Sequence, residues 1–210
     1  MWYNIKKQRK EKTMSMFNLA CHVGKQVNNK KQEKDIWQGS TFEFVDNFSC
    51  DDVGDWGEEV ILRILKGDPI LRHHGGTQIL GGGHYDFMLE VDGQEHRMEQ
   101  KTARLNADGK SFQHESLNLD GSCESFLFLD VCPEDIYLTV LSASSFKHGE
   151  RHEIMKRTPH LRDKQQKYKV DWTKRICESR GIPGGVTMKI DKETSSKEVL
   201  GFIKNRLNQL

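Results

Sequence analysis

Asp92-Gly93 constrains this chain more than any other feature. It separates two runs with strand character, 85–91 and 94–102, and in the first of them Phe87, Leu89 and Val91 fall on one face. Asp-Gly between such runs favours a two-residue turn with both residues at positive φ, which matches the natural twist of a hairpin. A turn of that length fixes the register. Val91 then pairs with Gln94, and counting back along both strands puts Asp86 opposite Glu99. Side chains alternate along a strand, so Asp86, Glu99 and Lys101 share one face, and Phe87, Leu89, Val91 and Met98 share the other.

Two carboxylates facing each other across a ladder repel, and one is pushed toward protonation. A divalent cation reverses that cost. Mg²⁺ takes hard oxygen ligands while keeping waters and a substrate phosphate in its remaining positions. The Gln100 backbone carbonyl offers a further oxygen, and Lys101 stands one step along the same face, placed to orient or deprotonate a water. Asp86 with Glu99-x-Lys101 is therefore suited to phosphodiester hydrolysis. The plainer alternative is a hairpin whose polar face is solvated.

The rest of the chain supplies a mixed fold. Gly54-Asp55-Trp56-Gly57-Glu58-Glu59 leads into a helix with apolar positions 60, 61, 64 and 65, closed by Gly67 and Pro69. After a loop over 75–83 and the hairpin come strands at 126–131 and 136–141. A basic helix-or-loop segment follows, then a short strand at 186–190. A final helix starts at a Ser195/Glu198 capping box. This order predicts an α/β (α+β) domain with a central mixed sheet of four to five strands flanked by helices.

Asp86, then Glu99-Gln100-Lys101, preceded by a helix carrying Glu58, resembles the PD-(D/E)XK nuclease superfamily, which includes the restriction endonucleases. Gly54-x-x-x-Glu58 followed by Val60-Ile61-Leu62 resembles the form seen in archaeal Holliday junction resolvases. The resemblance covers residues 54–141. It implies a restriction-endonuclease-like core of four mixed strands flanked by helices, a helix acid (Glu58) that adds to the metal site, and products with 5′-phosphate and 3′-hydroxyl ends. The sequence departs from the family pattern in three places. Tyr85 stands in place of proline. Gln100 replaces an apolar residue, so the far face of that strand is expected to be less buried. Glu59 competes with Glu58.

Net charge is +1, but its layout is uneven. Residues 1–34 hold nine Lys/Arg against two acids, residues 35–146 seven against 21, and residues 147–180 eleven against five. An acidic middle between basic flanks suits a protein that holds metal centrally and grips a polyanion with its ends. Arg151, Lys156, Arg157, Arg162, Lys164, Lys167 and Lys169 lie in the second basic segment, with Tyr168 and Trp172 interleaved. They are expected to contact phosphates, and Arg104, Lys110, Gln113 and His114, just beyond the catalytic strand, are expected to touch the phosphate or bases. His96 and Glu99 fall on opposite strand faces, His73-His74 reads as polar loop, and Gly81-Gly82-Gly83 lacks the Lys-Ser/Thr of a P-loop.

With a mean hydropathy of −0.72 and no long apolar run, a membrane span is not expected. An odd set of five cysteines without C-x-x-C, and no apolar leader, fit a reducing cytoplasmic compartment. The expectations are thus a basic arm (1–40) and one nuclease domain (41–210) acting on DNA, with a homodimer as one arrangement. Asp86, Glu99 and Glu58 would hold Mg²⁺, with Mn²⁺ as substitute, and Lys101 would position water. Sequence-specific cleavage or nicking of the restriction, phage or mobile-element type comes first. A Holliday junction or branched-DNA resolvase comes second, and a catalytically inactive nuclease-fold DNA-binding module is the alternative from another class.

Overall fold

The computed structural model describes residues 21–23, 25, 35–75, 85–119, 121–147, 155–158, 167–181 and 185–210. Nearly all of the basic arm, most of the 75–83 loop, and Arg151, Arg162 and Lys164 lie outside them. The elements in chain order begin with a 3-10 turn at Glu43–Asn47, helix α1 (Cys50–Leu65) and strands β1 (Leu71–His74), β2 (Phe87–Val91), β3 (Gln94–Arg104) and β4 (Ser111–Asn118). Then come β5 (Ser125–Val131), β6 (Ile136–Ser142), α2 (Ala143–Lys147), β7 (Met155–Thr158), β8 (Lys167–Thr173), α3 (Lys174–Arg180), β9 (Thr187–Ile190) and α4 (Ser196–Leu207).

The hairpin forms in the register read from the turn. Asp92 and Gly93 take φ of 52° and 82°, and the pairs run from Val91↔Gln94 to Phe87↔Met98. The protein is mixed α/β. Its main sheet has six strands rather than four or five, ordered β1-β2-β3-β5-β6-β9, and every pair is antiparallel except β3–β5. The added edge strand is β1, four residues long.

A parallel pair needs a crossover, and here β4 lies within it. β4 belongs to a separate three-stranded sheet, β4-β8-β7. The basic segment expected as helix or loop therefore contains β7, β8 and only a short helix, α3. β8 alternates Tyr168, Val170 and Trp172 with Lys167, Lys169 and Asp171, and Val170 and Trp172 are buried. Their face packs on the main sheet: the Phe128 ring centroid lies 4.7 Å from that of Trp172 and 4.8 Å from that of His114. Helices thus cover one face of the main sheet, where α1 and α4 meet. The other face is covered chiefly by the second sheet, with α3 beside β8 and β9.

Helix α1 begins earlier than the apolar pattern indicated. Ser49 and Asp52 form a reciprocal capping box, and the buried stripe is Val53, Gly57, Ile61 and Leu65 at four-residue steps. The capping box predicted at the start of α4 is present between Ser195 and Glu198. Gly57 is where α1 touches β3. A Cβ there would stand 2.0 Å from Thr102 Oγ1 and 2.7 Å from its Cγ2, so only glycine admits this approach. Gly57→Ala is expected to cost about 1–3 kcal/mol through overpacking, read by urea unfolding. Adding Thr102→Ala should recover part of that loss, because it removes the two closest atoms. A neutral Gly57→Ala would mean that α1 is not seated on β3 in this way.

The chain entering the domain is anchored to its body. Trp37 is buried, and the Phe42 amide donates to the Pro133 carbonyl at 3.1 Å. Among the described residues no helix is long and apolar enough to cross a membrane.

Candidate active site

The candidate site arises because two strands end at different places. β2 pairs with β3 only as far as Met98, yet β3 continues to Arg104 with β5 on its other side. From Glu99 onward one edge of β3 lacks its β2 partner. Asp86 marks the break. Its amide donates to the Met98 carbonyl at 2.9 Å, and its carboxylate Oδ2 accepts from the Gln100 amide at 2.7 Å. The acid thus folds back over the first backbone donor that β2 leaves behind. The N–H and C=O of a strand residue project to the same side, so the Gln100 carbonyl faces that edge too.

A cleft of about 760 Å³ runs along this edge. Glu58 of α1, Asp86, and Gln100 and Lys101 of β3 line it, and its far wall is β4 from Gln113 to Ser116. Consecutive β3 residues line the cleft because it wraps an edge rather than a face. Of the two competing helix acids, Glu58 points into the cleft, and Glu59 points to solvent, where it pairs with Arg63 at 2.6 Å.

Asp86, Glu58 and Lys101 are therefore brought to one cleft, and Glu99 is held one contact away. Glu99 does not line the cleft; its nearly buried carboxylate lies 2.5 Å from Lys101 Nζ, with Cys123 Sγ 3.9 Å from its second oxygen. Glu58 Oε1 is 3.0 Å from His74 Nε2. Among the described residues no three His, Cys, Asp or Glu side chains cluster to hold a metal ion. The donors present still suit Mg²⁺, which is commonly held by one or two carboxylates with waters and substrate phosphate. Asp86 and the Gln100 carbonyl, both at the open edge, are donors of that kind.

Gln100 is not exposed, against expectation. Its residue is 7 % accessible, its amide Nε2 donates to Thr102 Oγ1 at 3.3 Å, and its Oε1 is buried. The reason is α1, which closes over β3 at Gly57 and Thr102.

The residues expected to grip DNA divide. Arg104 is engaged within the fold: its Nη1 donates to the Val45, Asp46 and Phe48 carbonyls at 2.6, 2.8 and 2.9 Å and ties the 3-10 turn to β3. Lys169 pairs with Glu115 at 3.2 Å and Asp171 at 3.6 Å, so its charge is balanced locally. Lys110 is exposed before β4, and Gln113 is exposed on the cleft wall. Backbone pairing sets Lys156 opposite Lys169, Arg157 opposite Tyr168 and Lys167 opposite Thr158.

Two features of the site were not read from the sequence. His74, taken as loop, is on β1 and directed at Glu58, while its neighbour His73 turns to the Gly75 carbonyl. Strand alternation separates the two. His114, expected to touch DNA, is instead buried against Asp130. No family model matches the chain, and no curated protein matches it.

Proposed function

We propose that this chain is a Mg²⁺-dependent DNA endonuclease. The observation that carries the reading is the open edge of β3, where Asp86, Lys101 and Glu58 meet in one cleft and Glu99 touches Lys101. Asp86 and the Gln100 carbonyl would hold the ion, with Glu58 assisting through water, and Glu99 serves the site by holding Lys101. When bound, Mg²⁺ supplies a Lewis acid that offsets phosphate charge and activates water. Lys101, fixed by Glu99, orients the attacking water and stabilises charge that develops on the phosphoryl oxygens. Sequence-specific cleavage or nicking is the leading mode, with branched-DNA resolution second.

One observation favours binding without cleavage. Glu99 and Glu58 already have partners within the chain, Lys101 and His74. Incubation with supercoiled plasmid and with a four-way junction, in Mg²⁺ and in EDTA, separates the readings. Mg²⁺-dependent nicked or linear plasmid is the expected result. Cutting of the junction alone would select the resolvase reading, and DNA that is retarded but uncut with Mg²⁺ and with EDTA would select the binding module.

A further inference from the structure

A second groove, of about 470 Å³, lies where β4 and β8 meet α3, and Gln113 lines both it and the cleft. Side chains alternate along β4. Phe112 and His114 are buried, whereas Glu115 and Gln113 line the cleft and Gln113 and Ser111 line the groove. The outward face of β4 therefore runs from one depression into the other. On β8, Asp171 pairs with Gln113 and Thr173 with Ser111, so the second strand of this face leads the same way, to the start of α3.

Three cations gather at that end. The Lys174 amide donates to the Lys110 carbonyl at 3.0 Å, which joins the turn before β4 to the first residue of α3. Arg175 follows and lines the groove. Lys110 and Arg175 are exposed, and Lys174 is half-buried. Among the described residues none of the three pairs with an acid. The acids around them are engaged elsewhere: Asp171 with Lys169 at 3.6 Å, Asp135 with Lys189 at 3.2 Å, Glu178 with the Tyr137 hydroxyl at 3.3 Å, and Asp108 with the Lys110 amide at 3.0 Å. Nor do Lys174 and Arg175 serve α3. Its first turn holds no acid, although a helix dipole favours acids there and disfavours cations. This sets them apart from Arg104 and Lys169, whose charges are taken up within the fold.

We propose that this groove carries the DNA backbone away from the cleft, with Lys110, Lys174 and Arg175 holding its phosphates on one side of the cut. The place of this surface beside the cut rests on the endonuclease reading. Lys110 stands three residues from Gln113, about 10 Å at the rise of a strand. That is the span of about three phosphates along one strand of a duplex. Contacts of this kind position the DNA and carry no sequence information, so the grip is the same for every sequence.

The test measures binding of a DNA duplex against salt for the wild type and for the triple variant Lys110→Gln, Lys174→Gln and Arg175→Gln. Each phosphate contact contributes about 0.9 to the slope of log affinity on log salt, so the triple variant should lose about 2–3 from that slope. Arg63→Gln, Lys192→Gln and Lys197→Gln together remove the same charge from exposed sites elsewhere and should leave the slope close to wild type. Equal slopes in the two triple variants would overturn the proposal, since net charge alone would then explain the effect. Should loss of the half-buried Lys174 unfold the protein, Lys110→Gln with Arg175→Gln should lower the slope by about two. A second measurement locates the contact. Neutral methylphosphonates placed about three nucleotides to one side of the mapped cut should weaken wild-type binding and leave the triple variant unaffected, and equal sensitivity of the two proteins would overturn the proposal. A wild type that binds but does not cut in Mg²⁺ would remove the endonuclease reading, and the salt slopes would still decide the surface. No DNA binding by the wild type at low salt would overturn the surface itself.

Discussion

Lys101→Ala and Glu99→Ala should each abolish plasmid cleavage while DNA binding stays close to wild type. The two residues touch, at 2.5 Å, on β3. Of the two cations that line the cleft, Arg104 is engaged by the Val45, Asp46 and Phe48 carbonyls, and Lys101 is held by the nearly buried Glu99. Removing a positioned proton-transfer or charge-stabilising group typically costs about 10²–10⁴-fold in rate, which takes a plasmid assay to its floor. Binding should survive because its grip is assigned to the basic flanks rather than to the edge of β3. The Lys101 variant leaves a carboxylate nearly buried and unbalanced, so Glu99→Gln and the double variant Lys101→Met/Glu99→Gln, which removes both charges, are the milder companions. Both keep the packing and should also be inactive. Gel shift, plasmid cleavage and urea unfolding on the same preparations separate the effects. Cleavage that persists in Glu99→Ala would place the reacting centre elsewhere.

The hairpin was legible because a single dipeptide sets it. Asp-Gly demands two positive φ values, the structure has them, and every pair down to Phe87↔Met98 follows. The pairing count could not show that the ladder stops there. Asp86 takes the Gln100 amide with its side chain, and this turns an expected carboxylate pair into an acid at an open edge. The start of α1 was missed because Gly57, the centre of its buried stripe, carries no hydrophobic signal. The second sheet was missed for a different reason. Tyr168, Val170 and Trp172 alternate cleanly with charged residues, the pattern of a half-buried strand, but the charges drew the reading toward a DNA-contacting surface. In β4 the alternation of Phe112 and His114 breaks at the bulge and resumes at Leu117, so its period is visible only once the pairing is known. The burial of His114 depends on Asp130, sixteen residues away in another sheet, and no local pattern encodes it.

Asp130→Ala should be the most destabilising single substitution in the domain. Asp130 joins the two sheets from a fully buried position: the main sheet supplies its backbone on β5, and the second sheet supplies His114 and Trp172 as donors. Truncation leaves both donors in an interior that water does not reach. Leaving a buried donor unsatisfied costs about 1–3 kcal/mol, and two are orphaned here, a large share of the roughly 5–15 kcal/mol that holds a domain folded. Asp130→Asn should cost less, since one oxygen still accepts, but its amide nitrogen must face a donor. The buried Thr139–Thr187 hydrogen bond, 2.8 Å between β6 and β9, provides the control. It is equally interior but joins neutral groups, so Thr139→Val should cost only about 1 kcal/mol. Urea unfolding of the three variants gives the order Asp130→Ala, then Asp130→Asn, then Thr139→Val. If Asp130→Ala matched Thr139→Val, the second sheet would be held by its aromatic packing on Phe128 alone, and Asp130 would serve only to orient His114.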